Sequence, residues 1–248
     1  IGVHTDMCTP ALDRFGTDEL KREFLAPSIA GDVVGCLGVS ESGAGSDVVS
    51  MRLAAVKSGD GYVLNGTKMW ITNGSIADVA LVWAATEEGV RGFLIEKGTD
   101  GFSAPQMKGK WSLRASVTSE LILDNVVVEE SISLLPGVTG LKGPLSCLTQ
   151  ARYGIAWGAL GAADNCYQTA LDYSLSRVQF DRPIAGFQLQ QKKLTEMVTE
   201  LTKGQLLVLQ LEFDLVDLER VEQAQRVGRC RFIGLEAITA LLVQSASP

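Results

Sequence analysis

The sequence predicts an α+β protein in which a central antiparallel β-barrel or sandwich is followed by a partial α-helical bundle. From residue 33 to residue 128, short runs rich in β-branched and aromatic residues alternate with turn signals, and no long helical pattern interrupts them. Beyond Pro136 and Gly137 the apolar residues follow a helical period for the rest of the chain. Because strands precede helices instead of alternating with them, a Rossmann-type parallel sheet is disfavoured.

A short helix is predicted before the strands. Thr17 can cap it, because its hydroxyl can accept a hydrogen bond from a first-turn N–H, and Pro27 marks its end. Turn signals typical of hairpins occur at 58–61, 65–66 and 88–89. The predicted strands are 33–40, 52–57, 62–64, 67–72, 79–85, 91–95, 106–111, 119–123 and 126–128, and the predicted later helices are 144–176, 188–212 and 216–245.

The predicted helix 144–176 is rich in small residues. Gly154, Gly158 and Gly161 lower its helix propensity but leave room for a neighbouring helix to approach closely. We therefore expect these glycines to lie at a helix–helix contact.

Composition excludes several classes of function. With 22 Lys and Arg against 29 Asp and Glu the net charge is -7, and no basic run is long enough to track a nucleic-acid backbone. No apolar stretch approaches the ~20 residues of a membrane-spanning helix. The start at Ile1 has neither an initiator Met nor a signal peptide, so we expect the true N-terminus to lie upstream.

Cysteine and histidine usage narrows the chemistry further. The five cysteines form no CxxC pair, which favours core thiols in a reducing compartment over disulfides or a zinc site. His4 is the single histidine, so His-centred triads and multi-His metal sites are excluded, and no metal is predicted. Chemistry would have to rest on carboxylates or on a cofactor.

Two short motifs follow predicted strands. Residues 43–47, Gly-Ala-Gly-Ser-Asp, would let backbone N–H groups approach a phosphate or a flavin, although such a turn is more often only a turn. Trp70 and Thr72 lie two residues apart, so an aromatic plane and a hydroxyl share one face of a strand and could flank a flat ring. An isolated strand Trp is more commonly core packing.

Together these motifs resemble the acyl-CoA dehydrogenase family in order and spacing. The resemblance runs from about residue 10 to about residue 211 and rests on the segments 38–47, 65–73 and 177–180. Within the family, the segments 91–98, 112–116 and 151–158 look most like glutaryl-CoA dehydrogenase. The resemblance implies a remnant of the N-terminal helical domain at 1–32, a β-barrel middle domain that cradles the flavin at 33–140, and a partial C-terminal helical domain at 141–248.

The resemblance also implies FAD as cofactor and a set of site residues. The alternative for the strand residues is ordinary packing, and for Arg152 it is a salt bridge. Asp181 stands where the family usually has Gly, beside the Arg177 that would pair with pyrophosphate. The implied cofactor contacts are Leu37, Gly38, Val39, Ser40, Gly45, Ser46, Trp70, Ile71, Thr72, Arg177 and Gln188; the implied acyl-CoA contacts are Ser46, Leu145, Ser146, Leu148, Thr149 and Arg152.

The family's chemistry removes an α-proton of an acyl-CoA thioester with a Glu and transfers the β-hydrogen to FAD as hydride. Glutaryl-CoA members then decarboxylate the product to crotonyl-CoA, and electrons pass to an electron-transferring flavoprotein. The chain has no Tyr-Glu-Gly-Thr-like motif, so no catalytic residue is assigned. We therefore expect a truncated, inactive piece of such an enzyme.

Two alternatives stay open. The first is a non-catalytic fragment or variant that binds only flavin or partner subunits, and the second is an acyl-CoA oxidase. The resemblance further implies a homotetramer or homodimer in the full-length parent, located in the mitochondrial matrix or, in a bacterium, the cytoplasm.

Overall fold

The computed structural model describes residues 1–218, with side chains described through Leu211. The chain forms two compact units, residues 1–151 and a second unit that begins at Arg152. The predicted helix 216–245 lies almost wholly outside the described residues, as does Cys230.

The first unit is built on a curled seven-stranded sheet, counted over the described chain. Strand β4 is central: β5 pairs antiparallel along its whole length, while β1 and β2 run parallel to it on the other edge. Strand β3 is antiparallel to β2 and β7, and β6 pairs with β7. The strands are β1 (Gly35–Gly38), β2 (Ala54–Ser58), β3 (Gly61–Thr72), β4 (Val79–Thr86), β5 (Gly89–Glu96), β6 (Phe102–Ser103) and β7 (Thr118–Glu129).

The predicted β-domain is confirmed, with differences in its detail. The hairpins at 58–61 and 88–89 are present, but 65–66 lies inside β3, where a register shift against β7 takes the place of the expected turn. The four predicted strands 62–64, 67–72, 119–123 and 126–128 therefore merge into two. The predicted strand 106–111 is wrong, since that segment makes a single bridge at Gln106. The parallel pairs of β1 and β2 with β4 depart from an all-antiparallel sheet.

Strand β4 shows why a continuous apolar run forms a strand here. Its side chains alternate between two core clusters, so both faces of the strand are buried. Trp83 belongs to the first cluster, and Val82 and Ala84 to the second. On the neighbouring strand β5, Phe93 is fully buried in the second cluster, and burial of a side chain of this size contributes roughly 1.5–3 kcal/mol.

Short helices cover one face of this sheet. They are a π-helical segment (Val3–Cys8), α1 (Thr9–Phe15), α2 (Asp18–Leu20), a second π-helical segment (Lys21–Leu25), α3 (Ala26–Ala30) and, after β7, α4 (Glu130–Ser133). The predicted cap is confirmed, because the Thr17 hydroxyl accepts from Leu20 N–H at 3.2 Å. Leu12 and Phe24 pack with Leu81 in the first core cluster.

Helix α5 (Lys142–Ser176) starts in the first unit, and its portion from Arg152 belongs to the second. The second unit continues with a hairpin, β8 (Val178–Gln179) and β9 (Arg182–Pro183), and with α6 (Gln188–Leu218). Its core holds Leu160, Leu201 and Val208. None of the helices in residues 1–218 combines the length and the apolar character needed to cross a membrane.

The glycine that permits close helix packing is not among those predicted. A Cβ on Gly204 of α6 would lie 2.6 Å from Leu160 of α5, so only glycine fits there without rearrangement. A Cβ on Gly158 or Gly161 would meet no described atom within 4 Å. The expectation that these two glycines lie at a helix contact is therefore wrong for the described chain.

Candidate functional site

Strand β1 ends in a tight turn that carries the glycine-rich motif. Glu41 and Ala44 exchange two backbone hydrogen bonds, of 3.0 Å from the Glu41 N–H and 3.2 Å from the Ala44 N–H. Gly43 and Gly45 are exposed, and a Cβ on either would meet nothing within 4 Å in the described part of the chain. The turn therefore leaves its backbone open to a ligand, as a cradle requires.

A backbone hydrogen bond joins this turn to the end of β3. Met69 N–H donates to the carbonyl oxygen of Ser40 at 2.9 Å. The bond forms at a bulge, where the register between β3 and β7 shifts after Lys68 and Trp70 takes a positive φ of 60°. The structure thus brings together the two segments whose pairing the sequence predicted only through a resemblance.

The predicted cofactor residues of this unit divide into accessible and buried sets. Trp70 is 56% exposed and Thr72 is half-buried, while Ile71 between them points into the core. Trp70 and Thr72 are therefore the accessible residues of this segment, and Ile71 is the buried one. Also accessible are Ser40, Gly45 and Ser46; the buried residues, which could contact a ligand only through their backbone, are Leu37, Gly38, Val39 and Ile71.

A buried ion pair lies directly beneath these segments. The ammonium of Lys68 donates to Glu41 Oε1 at 2.8 Å and to the carbonyl oxygen of Val39 at 3.1 Å. The Glu41 carboxylate also accepts from the backbone N–H groups of Arg52 at 2.7 Å and Leu53 at 3.0 Å. The Lys68 side chain is fully buried and that of Glu41 is 8% exposed.

Sequence reasoning missed this pair, although Glu41 and Lys68 lie in the segments 38–47 and 65–73 that carry the family resemblance. A charged residue in an otherwise apolar strand was the available signal. Burial raises the pKa of Glu41, but the bonds from Lys68, Arg52 and Leu53 outweigh it and hold that pKa below its usual range. Burial lowers the pKa of Lys68, opposed by its bond to Glu41.

The predicted acyl-CoA residues at 145–149 lie near the start of α5. Leu145 is 43% exposed, and Leu148 packs against the first core cluster. Both hydroxyls bond within the helix, from Ser146 to the Gly143 carbonyl at 2.7 Å and from Thr149 to the Leu145 carbonyl at 3.1 Å. Each hydroxyl oxygen still has lone pairs with which it could accept from a ligand.

The other predicted residues belong to the second unit. Arg152, Arg177 and Gln188 are exposed, and the carbonyl of Arg177 accepts from Ile184 N–H at 2.8 Å. Asp181 has a φ of 59°, and the preceding residue also has a positive φ. This backbone explains why a Gly would suit position 181, and Asp tolerates it better than most residues.

The accessible groups suit a flat ring such as a flavin better than a metal. Among the described residues, no three His, Cys, Asp or Glu side chains are grouped so that they could hold a metal ion. The hydroxyls of Ser40, Ser46 and Thr72 with the Trp70 indole form an uncharged set around an open backbone turn. A flat heteroaromatic ring with polar edges fits that set, because an indole can cover the face of the ring and hydroxyls can bond to its edges.

Comparison with known proteins decides the family. The acyl-CoA dehydrogenase middle-domain model matches residues 36–126, and the acyl-CoA dehydrogenase C-terminal-domain model matches residues 139–224. The chain belongs to the acyl-CoA dehydrogenase family. The predicted family and its fold are therefore confirmed, and the middle-domain match includes all the joined segments of the cradle.

Individual relatives in the acyl-CoA dehydrogenase family agree. The chain is 39% identical to the mitochondrial isovaleryl-CoA dehydrogenase of Arabidopsis thaliana, over 97% of this chain and 61% of that protein. A glutaryl-CoA dehydrogenase from Mycobacterium smegmatis has 47% identity and a TM-score of 0.86, covering 99% of this chain and 63% of its own. A structure of such an enzyme in complex with FADH2 has 45% identity and a TM-score of 0.86, with coverages of 98% and 63%. The chain thus spans less than two thirds of these relatives.

Proposed function

We propose that this chain is the flavin-cradling part of an FAD-dependent acyl-CoA dehydrogenase that oxidises the α,β-bond of an acyl-CoA thioester. The observation that carries the proposal is the hydrogen bond from Met69 N–H to the Ser40 carbonyl. This bond places the glycine-rich turn and the Trp70 segment next to each other on one surface. Family membership and the relative in complex with FADH2 support FAD as the cofactor. Bound FAD supplies the acceptor for the substrate hydride.

The residues of the cradle have distinct roles in this proposal. Trp70 covers one side of the ring with its exposed indole, and its positive φ turns it outward from a strand whose next residue is buried. The Thr72 hydroxyl donates a hydrogen bond where negative charge develops on the ring. Ser40 and Ser46 provide hydroxyls, and Arg177 and Gln188 contact the pyrophosphate side from a neighbouring subunit.

The acyl-CoA substrate can be proposed from the individual relatives. We propose glutaryl-CoA, with decarboxylation to crotonyl-CoA, as the first substrate to test, supported by the 47% identity to the mycobacterial enzyme. Isovaleryl-CoA is the competing substrate, supported by the 39% identity to the plant enzyme.

We further propose that the protein passes electrons to an electron-transferring flavoprotein and forms a homotetramer or a homodimer. Its proposed location is the mitochondrial matrix or, in a bacterium, the cytoplasm. The domain boundaries at 32 and 140 are likewise retained as proposals.

The first experiment measures flavin binding by the full 248-residue chain. Purified chain is titrated into FAD, and the fluorescence and absorbance of the flavin are followed. We expect binding, at least tenfold weaker in Trp70→Ala and within threefold of the parent in Trp70→Phe, because the latter keeps a flat ring. If the parent leaves flavin fluorescence unchanged, or if Trp70→Ala binds like the parent, the proposed cradle is wrong.

The second experiment separates activity from binding alone. The FAD-loaded chain is mixed anaerobically with glutaryl-CoA and, separately, with isovaleryl-CoA, and flavin bleaching is recorded. Since no residue of the chain is assigned as the α-proton base, a chain that is yellow but does not bleach supports the non-catalytic alternative. Rapid bleaching by one substrate excludes that alternative. Peroxide formed on admitting oxygen identifies an oxidase instead.

A further inference from the structure

We propose that the buried ion pair of Lys68 and Glu41 fixes the position of the turn 39–44 relative to β3. In that position Ser40 and Trp70 can contact the same ligand. The proposal deepens the proposed function and rests on it for the identity of the ligand as a flavin. It assigns roles to two side chains that cannot themselves touch the cofactor, because both are buried.

The contacts of Lys68 span both halves of the cradle. Lys68 lies on β3, two residues before Trp70, and its ammonium bonds to the carbonyl of Val39, the residue before Ser40. The Lys68 side chain therefore links the strand that carries Trp70 to the residue directly before Ser40. Because a hydrogen bond from a charged donor is roughly twice as strong as a neutral one, this bond holds the turn against the strand more firmly than apolar packing would.

Glu41 completes the connection on its other side. Its two carboxylate oxygens are divided among Lys68 and the backbone N–H groups of Arg52 and Leu53, at 2.7–3.0 Å. The exposed tip of the turn, 42–47, is thus tied at both ends, at Glu41 before it and at 52–53 after it. Within the tip, Ala44 is buried and bonds back to Glu41, while the exposed Gly43 and Gly45 leave the backbone around it conformationally free.

Gly38 of β1 packs against the side chain of Lys68. A Cβ on Gly38 would lie 3.2 Å from Lys68 Cγ and 3.2 Å from Leu121 Cδ1. Gly38 therefore makes room for the stem of Lys68 as it passes under β1. The prediction that Gly38 contacts the cofactor is a separate one, since this buried residue could contact a ligand only through its backbone.

Stability alone is a weak reason for this pair. Removing two charges from water costs several kcal/mol per ion, and buried pairs can often be replaced by uncharged residues of similar size with little loss of stability. An uncharged pair cannot, however, give the Val39 carbonyl its charged hydrogen-bond donor. Structural and positioning roles therefore predict different behaviour for an uncharged replacement.

The test uses the double variant Glu41→Gln with Lys68→Met in the full chain. Gln keeps one amide oxygen, which can accept from one of the two N–H groups at 52–53. Met keeps the length of the lysine stem without leaving a buried charge unpaired. The matched control is Lys57→Met, which removes the exposed ion pair between Lys57 and Glu130 elsewhere in the same unit. Lys68→Met alone is a second variant.

Two readouts distinguish this inference from the proposed function. Hydrogen exchange of the chain without flavin reports the turn directly. We expect the hydrogen-bonded amides of Glu41 and Ala44 to exchange at least tenfold faster in the double variant and at the parent rate in Lys57→Met. FAD affinity should fall at least tenfold in the double variant, with its thermal midpoint within a few degrees of the parent. Parent-like exchange at positions 41 and 44 in a folded double variant overturns the inference, and so does a parent-like FAD affinity.

If the parent itself does not bind FAD, the proposed function fails while hydrogen exchange still decides whether the pair holds the turn. If the double variant does not fold, Lys68→Met and a Lys68→Arg variant take its place. Arg retains a charged donor, so recovery of exchange protection and FAD affinity by Lys68→Arg but not by Lys68→Met supports the proposal. Equal behaviour of the two overturns it.

Discussion

His4 shows how a single residue can connect distant segments without being catalytic. Its Nδ1 accepts a hydrogen bond from Gly35 N–H at 2.9 Å, and its Nε2 lies 3.0 Å from the carbonyl of Ser28. Because a backbone N–H can only donate, Nδ1 carries no proton in this geometry and Nε2–H is the donor to Ser28. The imidazole thus ties the first helical segment to α3 and to the start of β1.

We expect His4→Ala to destabilise the first unit by about 1–2 kcal/mol, because it leaves the N–H of buried Gly35 without its acceptor. His4→Asn is the matched control, since its amide oxygen stands about as far from Cβ as Nδ1 does and can accept the same bond. The measurement is the urea midpoint followed by tryptophan fluorescence. A loss in His4→Asn as large as that in His4→Ala would show that the Gly35 bond is not the source.

At this scale the sequence predicted residue types better than residue geometry. The accessible placement of Trp70 does not follow from its spacing in a strand, because Lys68, two residues earlier, is fully buried and the bulge after it turns Trp70 outward. The ion pair of Glu41 and Lys68 could not be predicted either, because its partners are 27 residues apart and meet only when β1 and β3 are in place. The resemblance named both segments but not this contact.

Local sequence predicts some of the hairpin turns between strands but not all of them. Hairpin turns at 58–61 and 88–89 were predictable, because their glycines match the geometry of tight turns. Asn65-Gly66 has the same local signal but lies within β3, since pairing with β7 continues on both sides of it. Tertiary pairing overrides a turn signal here, and no short window of sequence contains that information.

Two glycines of α5 have different surroundings, so substitution of each should change stability differently. Gly143, in the first turn of α5, lies against the buried indole of Trp83, where a Cβ would come within 2.1 Å of the ring. Gly143→Ala should therefore destabilise the first unit by about 1–3 kcal/mol through overpacking. Gly158→Ala is the control in the same helix: it meets open space and should stabilise by about 0.5–1 kcal/mol.

Urea unfolding of both variants, followed by circular dichroism at 222 nm, measures these shifts. Opposite signs are expected for the two substitutions. A neutral Gly143→Ala would mean that Trp83 can turn aside at little cost and that this contact does not fix the start of α5.

For the whole molecule, the family and the order of strands before helices were predictable because hydrophobic period and two ordered motifs extend over long stretches of sequence. The curl of the sheet was not, since it depends on the parallel pairing of β1 and β2 with β4, which only the assembled core specifies. The predicted core thiols are confirmed for Cys8, Cys36 and Cys147, whereas Cys166 is exposed.

The three buried thiols allow the unfolding of the first unit to be followed by their reactivity. Burial raises the pKa of Cys8 to about 12 and that of Cys147 to about 11, and it raises that of Cys36 as well. All three lie in the first unit, on a π-helical segment, β1 and α5. The thiolate is the reactive form, so native burial and raised pKa both protect them from alkylation.

We therefore expect a short iodoacetamide pulse at pH 8 to label Cys166 in the native chain and to spare Cys8, Cys36 and Cys147, as mapped by peptide mass spectrometry. Along a urea titration the three should become reactive together, because Cys8 and Cys147 lie in the first core cluster and Cys36 lies in the second. Strand β1 contributes to both clusters, so we expect them to unfold as one unit. Labelling of Cys8 at lower urea than Cys36 would show instead that the N-terminal helices unfold before the sheet, and that the cradle can persist without them.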